Sequence, residues 1–220
     1  MRYFTIIPFV LFLQVLACFE ARASGDAVLW REGVVFKRFS DPAVIHLDGG
    51  LWFLVRLDAS EFTNPLEWTP GKERLILEYD EQRGAALVHT VTGSRFPIVG
   101  WEDRTHPIDR LLTRDLEANH TTYGMMEAFG EAARRWGLEI ERAYRELERF
   151  AGKDADRMRE AARVWRQFLK TDDAVFVAVA KGQSGTRWRV LGAEDDERRN
   201  RWQAERLLAL WGELREEEKD

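Results

Sequence analysis

The chain has 220 residues, of which 33 are Lys or Arg and 38 are Asp or Glu. Its length allows one or two domains with a substantial core. A composition of 45% hydrophobic and 32% charged residues is globular, neither disordered nor multispanning. The single cysteine excludes an intrachain disulfide framework and a cysteine-rich zinc site.

The first 23 residues read as a secretory leader. Arg2 supplies the positive start, and Phe4 to Phe19 is an apolar run interrupted by Thr5, Pro8 and Gln14. Ala21-Arg22-Ala23 has the small-x-small pattern of a signal-peptidase site, so cleavage is expected after Ala23. The run is short of the roughly 18–20 residues that span a bilayer, and no later segment reaches that length. A retained N-terminal anchor is the alternative. Cys18 stands in Val15-Leu16-Ala17-Cys18, a loose lipobox, and lipid anchoring through it is a further option. Removal of residues 1–23 takes away Arg2, Arg22 and Glu20, leaving 31 basic and 37 acidic residues, a net of −6. That balance disfavours nonspecific nucleic-acid binding and suits a basic protein partner.

Residues 24–107 predict a small antiparallel β-domain, an open sheet or a barrel. Strand candidates are 34–36, 43–47, 51–57, 74–79, 85–91 and 95–99. The fourth and fifth flank Asp80-Glu-Gln-Arg-Gly84, which reads as a hairpin turn. Pro97 predicts an edge position for the last strand.

All six prolines lie at or before Pro107, which frees residues 108–220 for long helices. Ile140, Tyr144, Leu147 and Ala151 share one helical face, and Met158, Ala162, Trp165 and Leu169 repeat the spacing. Gly152 between them predicts a stop and an antiparallel helical hairpin. Residues 174–180 are open between helix and strand because Val175, Val177 and Val179 alternate. Gly182 to Gly185 reads as a break. A last helix places Ala204, Leu207, Leu208, Trp211 and Leu214 on one face. The fold class is therefore α+β, a β-domain followed by an all-α helical-hairpin domain.

No catalytic constellation is complete. Gly182-Gln-Ser-Gly-Thr186 lacks the final glycine of a nucleophile elbow and the Gly-Lys-Ser/Thr ending of a P-loop. Asp103, His106 and Asp109, with His120 further on, read as a polar linker between domains, or as a metal or proton-relay cluster. Glu117 and the acidic residues of the helices read as solvated faces with i, i+4 partners. No cofactor motif is present. Trp136 and Trp165 are expected in the core. Arg187, Trp188 and Trp202 are the candidates for a recognition surface, since Trp and Arg dominate binding hot spots.

The stretch from about Met125 to Leu210 resembles the LprI-type lysozyme-inhibitor domain of exported bacterial proteins. Ile140-Glu141-Arg142-Ala143-Tyr144 is similar to the family's L-N-x-x-Y element, and Trp165-Arg-Gln-Phe168 to its later tryptophan element. Gly182-Gln183-Ser184 is similar to its G-G-S break, and Arg206 with Leu207 and Leu210 to its terminal segment. The chain departs at Glu141 and Gln183, has Leu169-Lys170 in place of Arg-Asp, and carries no cysteine to bridge the helices. The resemblance implies a structural role for Tyr144, Trp165, Gly182, Ser184 and Arg206. It also implies a periplasmic or secreted, non-enzymatic protein that binds lysozyme or another cell-wall hydrolase. A periplasmic structural or assembly factor without lysozyme activity is the alternative. An enzymatic reading would centre on His106 and Asp109.

Overall fold

The computed structural model describes residues 28–41, 43–57, 68–180 and 186–214. The segment expected to be a leader, with Cys18, and Gly182 and Ser184 lie outside the described residues.

Six strands form a closed antiparallel barrel: β1 (Val28–Asp41), β2 (Val44–Leu47), β3 (Trp52–Val55), β4 (Arg74–Asp80), β5 (Gly84–His89) and β6 (Arg95–Trp101), in the order β1-β2-β3-β6-β5-β4. Closure depends on β1. Its first half, Val28 to Val35, pairs with β4, and its second half, Phe36 to Asp41, pairs with β2. Register shifts lie in both halves, and such irregularities bend a strand and raise its twist. Phe36, Ile45, Leu47, Phe53, Leu75, Leu77, Leu87, Phe96 and Ile98 are at most 2% exposed and fill the β core.

Closure also corrects the edge expectation for Pro97. β6 pairs with β3 on one side and β5 on the other. The proline is tolerated beside a register shift in the β3–β6 pairing, and its carbonyl accepts the Arg56 N–H at 2.8 Å. The β4–β5 turn forms as expected. Asp80 Oδ1 accepts the Gln82 and Arg83 N–H groups at 2.7 and 2.9 Å, and Gly84 takes φ +76°.

Four helices follow: α1 (Pro107–Ala118), α2 (Thr122–Ala151), α3 (Ala155–Ala180) and α4 (Thr186–Glu213). Pro107 opens α1, where a missing N–H costs nothing. Thr121 Oγ1 caps α2 by accepting the Gly124 N–H at 3.0 Å. Gly152, at φ +52°, ends α2, and a single 3₁₀ turn leads into α3. Arg166 pairs with Glu141 (2.5 Å) and Arg159 with Glu148, so α2 and α3 run antiparallel. Residues 174–180 are helical, although their valines alternate.

α2 and α4 hold the barrel. Glu139, buried on α2, accepts the Ala85 N–H of β5 at 3.2 Å and pairs with Arg142. The Arg142 guanidinium donates to the Arg83 carbonyl in the hairpin turn at 2.5 Å. Arg56, just after β3, donates to the Trp211 and Leu214 carbonyls at 2.5 and 2.9 Å, satisfying groups that a helix end leaves open. One hydrophobic cluster runs without a break from Phe36 in β1 to Trp211 in α4.

Candidate functional site

A polar cluster sits where β6, α1 and α4 meet. His106 is the N-cap of α1. Its Nδ1 accepts the Ile108 N–H at 3.2 Å, which assigns the ring proton to Nε2. The ring is fully buried beside both Trp101 and Trp136, at 4.4 and 4.6 Å between centroids. The two indoles stack on each other at 5.7 Å. Burial, with the charges of Arg142 and Arg201, pushes His106 well below its ordinary value and keeps it neutral. Its Nε2 has no hydrogen-bond partner among the described residues.

Asp109, buried in the first turn of α1, lies 3.4 Å from the Arg201 guanidinium of α4. Burial raises its carboxyl to about 7; Arg201 opposes the rise, while Glu197, Glu205 and Asp103 add to it. Arg201 also contacts Asp103 at 2.8 Å and Glu205 at 2.9 Å. Glu197, buried one turn before Arg201, accepts the Trp136 Nε1–H at 3.1 Å, and burial lifts its carboxyl too. Four carboxylates thus gather around one guanidinium.

The cluster opens to solvent through a cleft of about 350 Å³ lined by Val99, Gly100, Trp101, Asp103, Glu205 and Ala209. An indole with two solvent-facing carboxylates has the chemistry to receive an organic cation, beside the Arg201 guanidinium that both carboxylates already contact. The ring face attracts positive charge, and the carboxylates accept its N–H groups. Trp202 extends this surface. It stands three and seven residues before Glu205 and Ala209, hence on the same face of α4, and is 58% exposed.

The polar-linker expectation holds for exposed Asp103 and fails for His106, buried against Trp101 and Trp136, and for Asp109, buried beside Arg201. His120 is exposed at the far end of α1 from His106. Among the described residues no three His, Cys, Asp or Glu side chains converge as metal ligands. Glu117 is solvated, but Glu139 and Glu197 are buried, correcting the solvated-face reading of the helical acids.

The three recognition candidates do not form one surface. Exposed Arg187 and half-buried Trp188 begin α4, about 20 Å along the helix from Trp202. The motif residues serve packing: the buried Tyr144 hydroxyl accepts from Gln203 Nε2 at 3.0 Å, tying α2 to α4, and half-buried Trp165 stacks on Phe168. Arg206 is exposed. Sequence reasoning missed Arg201 and Glu205, whose i, i+4 spacing was the available signal but is common on any solvated helix.

Comparison with known proteins gives no match: no family model, no curated protein and no solved structure is similar to this chain.

Proposed function

We propose that the chain is an exported bacterial envelope protein, periplasmic or secreted, that binds a basic protein partner. Lysozyme is the first candidate, and kinship with the LprI-type inhibitors belongs to the same proposal. The observation that carries it is the acidic, tryptophan-floored cleft beside exposed Trp202. A Lys or Arg side chain of the partner enters the cleft between Asp103 and Glu205, and Trp202 packs at the rim as an anchor. The leader and the acidic remainder of the chain support this reading.

The protein acts by occupancy and not by turnover. His106, the side chain best suited to move a proton, is sealed behind Trp101, and its depressed proton affinity leaves it neutral. Inhibition follows if the bound chain covers the hydrolase's substrate cleft. Cell-wall clearing by lysozyme with a molar excess of the purified chain tests this. Slowed clearing with a detectable complex is expected; full activity and no complex would remove the inhibitor reading.

A further inference from the structure

The end of the helical bundle away from the barrel has a different chemistry. The last turns of α3 read Ala174-Val-Phe-Val-Ala-Val-Ala180. Phe176 turns inward against α4: a Cβ on Gly192 would lie 2.6 Å from its ring. Val175, Val177 and Val179 are 56%, 63% and 63% exposed. At about 100° per residue, Val175 and Val179 share one side and Val177 lies about 160° from each. A docked helix covers a stripe roughly 100° wide, so no single helix buries all three valines. A lipid surface surrounds such a tip.

Two exposed cations stand at the tip itself. Arg187 and Arg189 are exposed in the first turn of α4, with half-buried Trp188 between them. The start of α4 also brings the positive end of its dipole. The ion pairs of α2 and α3 step seven residues one way for seven the other, which carries the end of α3 past Arg134 toward the start of α2. There Tyr123 is 72% exposed. The acids lie further from the tip or beside it in pairs: Asp172, Asp195 and Asp196 share Arg199, Glu194 pairs with Arg198, and Asp173 and Glu127 face solvent. An apolar tip backed by Arg, Trp and Tyr is the pattern of an interfacial anchor.

We propose that this end of the bundle docks on an anionic bilayer surface. Val175, Val177 and Val179 enter the acyl boundary, and Arg187 and Arg189 meet lipid phosphates. The contact is shallow, since no helix among the described residues is long and apolar enough to cross a membrane.

Flotation of the full chain with phosphatidylglycerol-containing and pure phosphatidylcholine vesicles tests it, together with tryptophan quenching by brominated acyl chains. Binding is expected on the anionic vesicles and is expected to weaken at high salt. The V175S/V177S/V179S and R187E/R189E variants should each partition at least about tenfold less. All three valines are exposed, so the serine variant keeps its fold. Quenching should fall mainly with Trp188→Phe. Residues 1–23 contain no tryptophan, so binding through the leader would leave the quenching absent. No binding, or binding undiminished in both multiple variants, would overturn the proposal. So would a solution dimer, dissolved by the serine substitutions, without vesicle binding.

Discussion

At the scale of single residues, the junction places opposing titrations side by side. Burial raises Asp109 to about 7 from an ordinary 3.8. Between those values the folded chain keeps a proton that the unfolded chain releases, so this group's contribution to stability falls as pH rises from about 4 to about 7. Asp109→Asn removes that loss. The variant should be more stable than the parent by about 1–3 kcal/mol at pH 8, the lost Arg201 contact offsetting part of the gain. The difference should vanish near pH 4, and urea unfolding across that range measures it. Parallel stability curves would contradict the assignment. His106 works in the other direction: buried and neutral, it draws the unfolded state ahead as pH drops below about 6.5. His106 and Asp109 were visible in the sequence as polar residues close together. Their burial was not, because Trp136, which packs on His106, and Arg201, which faces Asp109, stand about thirty and ninety residues further along the chain.

At the scale of elements, local signals were legible wherever the local pattern decided the outcome. The Asp80–Gly84 turn needed only an Asx acceptor and a glycine with positive φ. The stripes of α2, α3 and α4 needed only a 3.6-residue period. Strand β1 was legible only in part, at Val34 to Phe36, because its Arg, Glu and Lys residues break the alternation that a half-buried strand shows. Long-range pairing with two different strands makes it continuous. The alternation of Val175, Val177 and Val179 pointed equally to a strand, and a helix prevails with Phe176 packed on Gly192. Arg56 exemplifies a contact between elements that no local pattern announces. It caps the last turn of α4 from the end of β3 while its guanidinium lies 4.4 Å from the Phe150 ring centre. Arg56→Ala should cost about 2–3 kcal/mol. Amide exchange at 207–214 should rise before exchange elsewhere; unchanged protection there would argue against the clamp.

At the scale of the molecule, composition separates a proline-bearing β half from a proline-free helical half, yet the core does not stop at that line. Trp136 and Ile140 on α2 and Leu208 and Trp211 on α4 belong to the same cluster as Phe53, Tyr79 and Ile98 of the barrel. Glu139, Arg142 and Arg56 fasten the two halves with buried charge-assisted hydrogen bonds. This continuity joins barrel and helices in one core. Barrel and helices should therefore unfold together. Far-ultraviolet circular dichroism at 222 nm, which reports the helices, and amide exchange of the β4–β5 hairpin, which reports the barrel, should give coincident urea transitions in the parent chain. Two separated transitions would show that the halves are independent. The same junction that unites the halves leaves the acidic cleft open at its edge, and the cleft is where function is expected to reside. The most direct test is calorimetric titration of lysozyme into the parent chain and into Asp103→Lys/Glu205→Lys, two changes at solvent-facing positions. Binding by the parent, weakened by salt and lost in the charge-reversed variant while its circular dichroism is unchanged, is the predicted result. Equal binding by both chains, or binding by neither, would contradict the assignment of the cleft as the receptor for a basic partner.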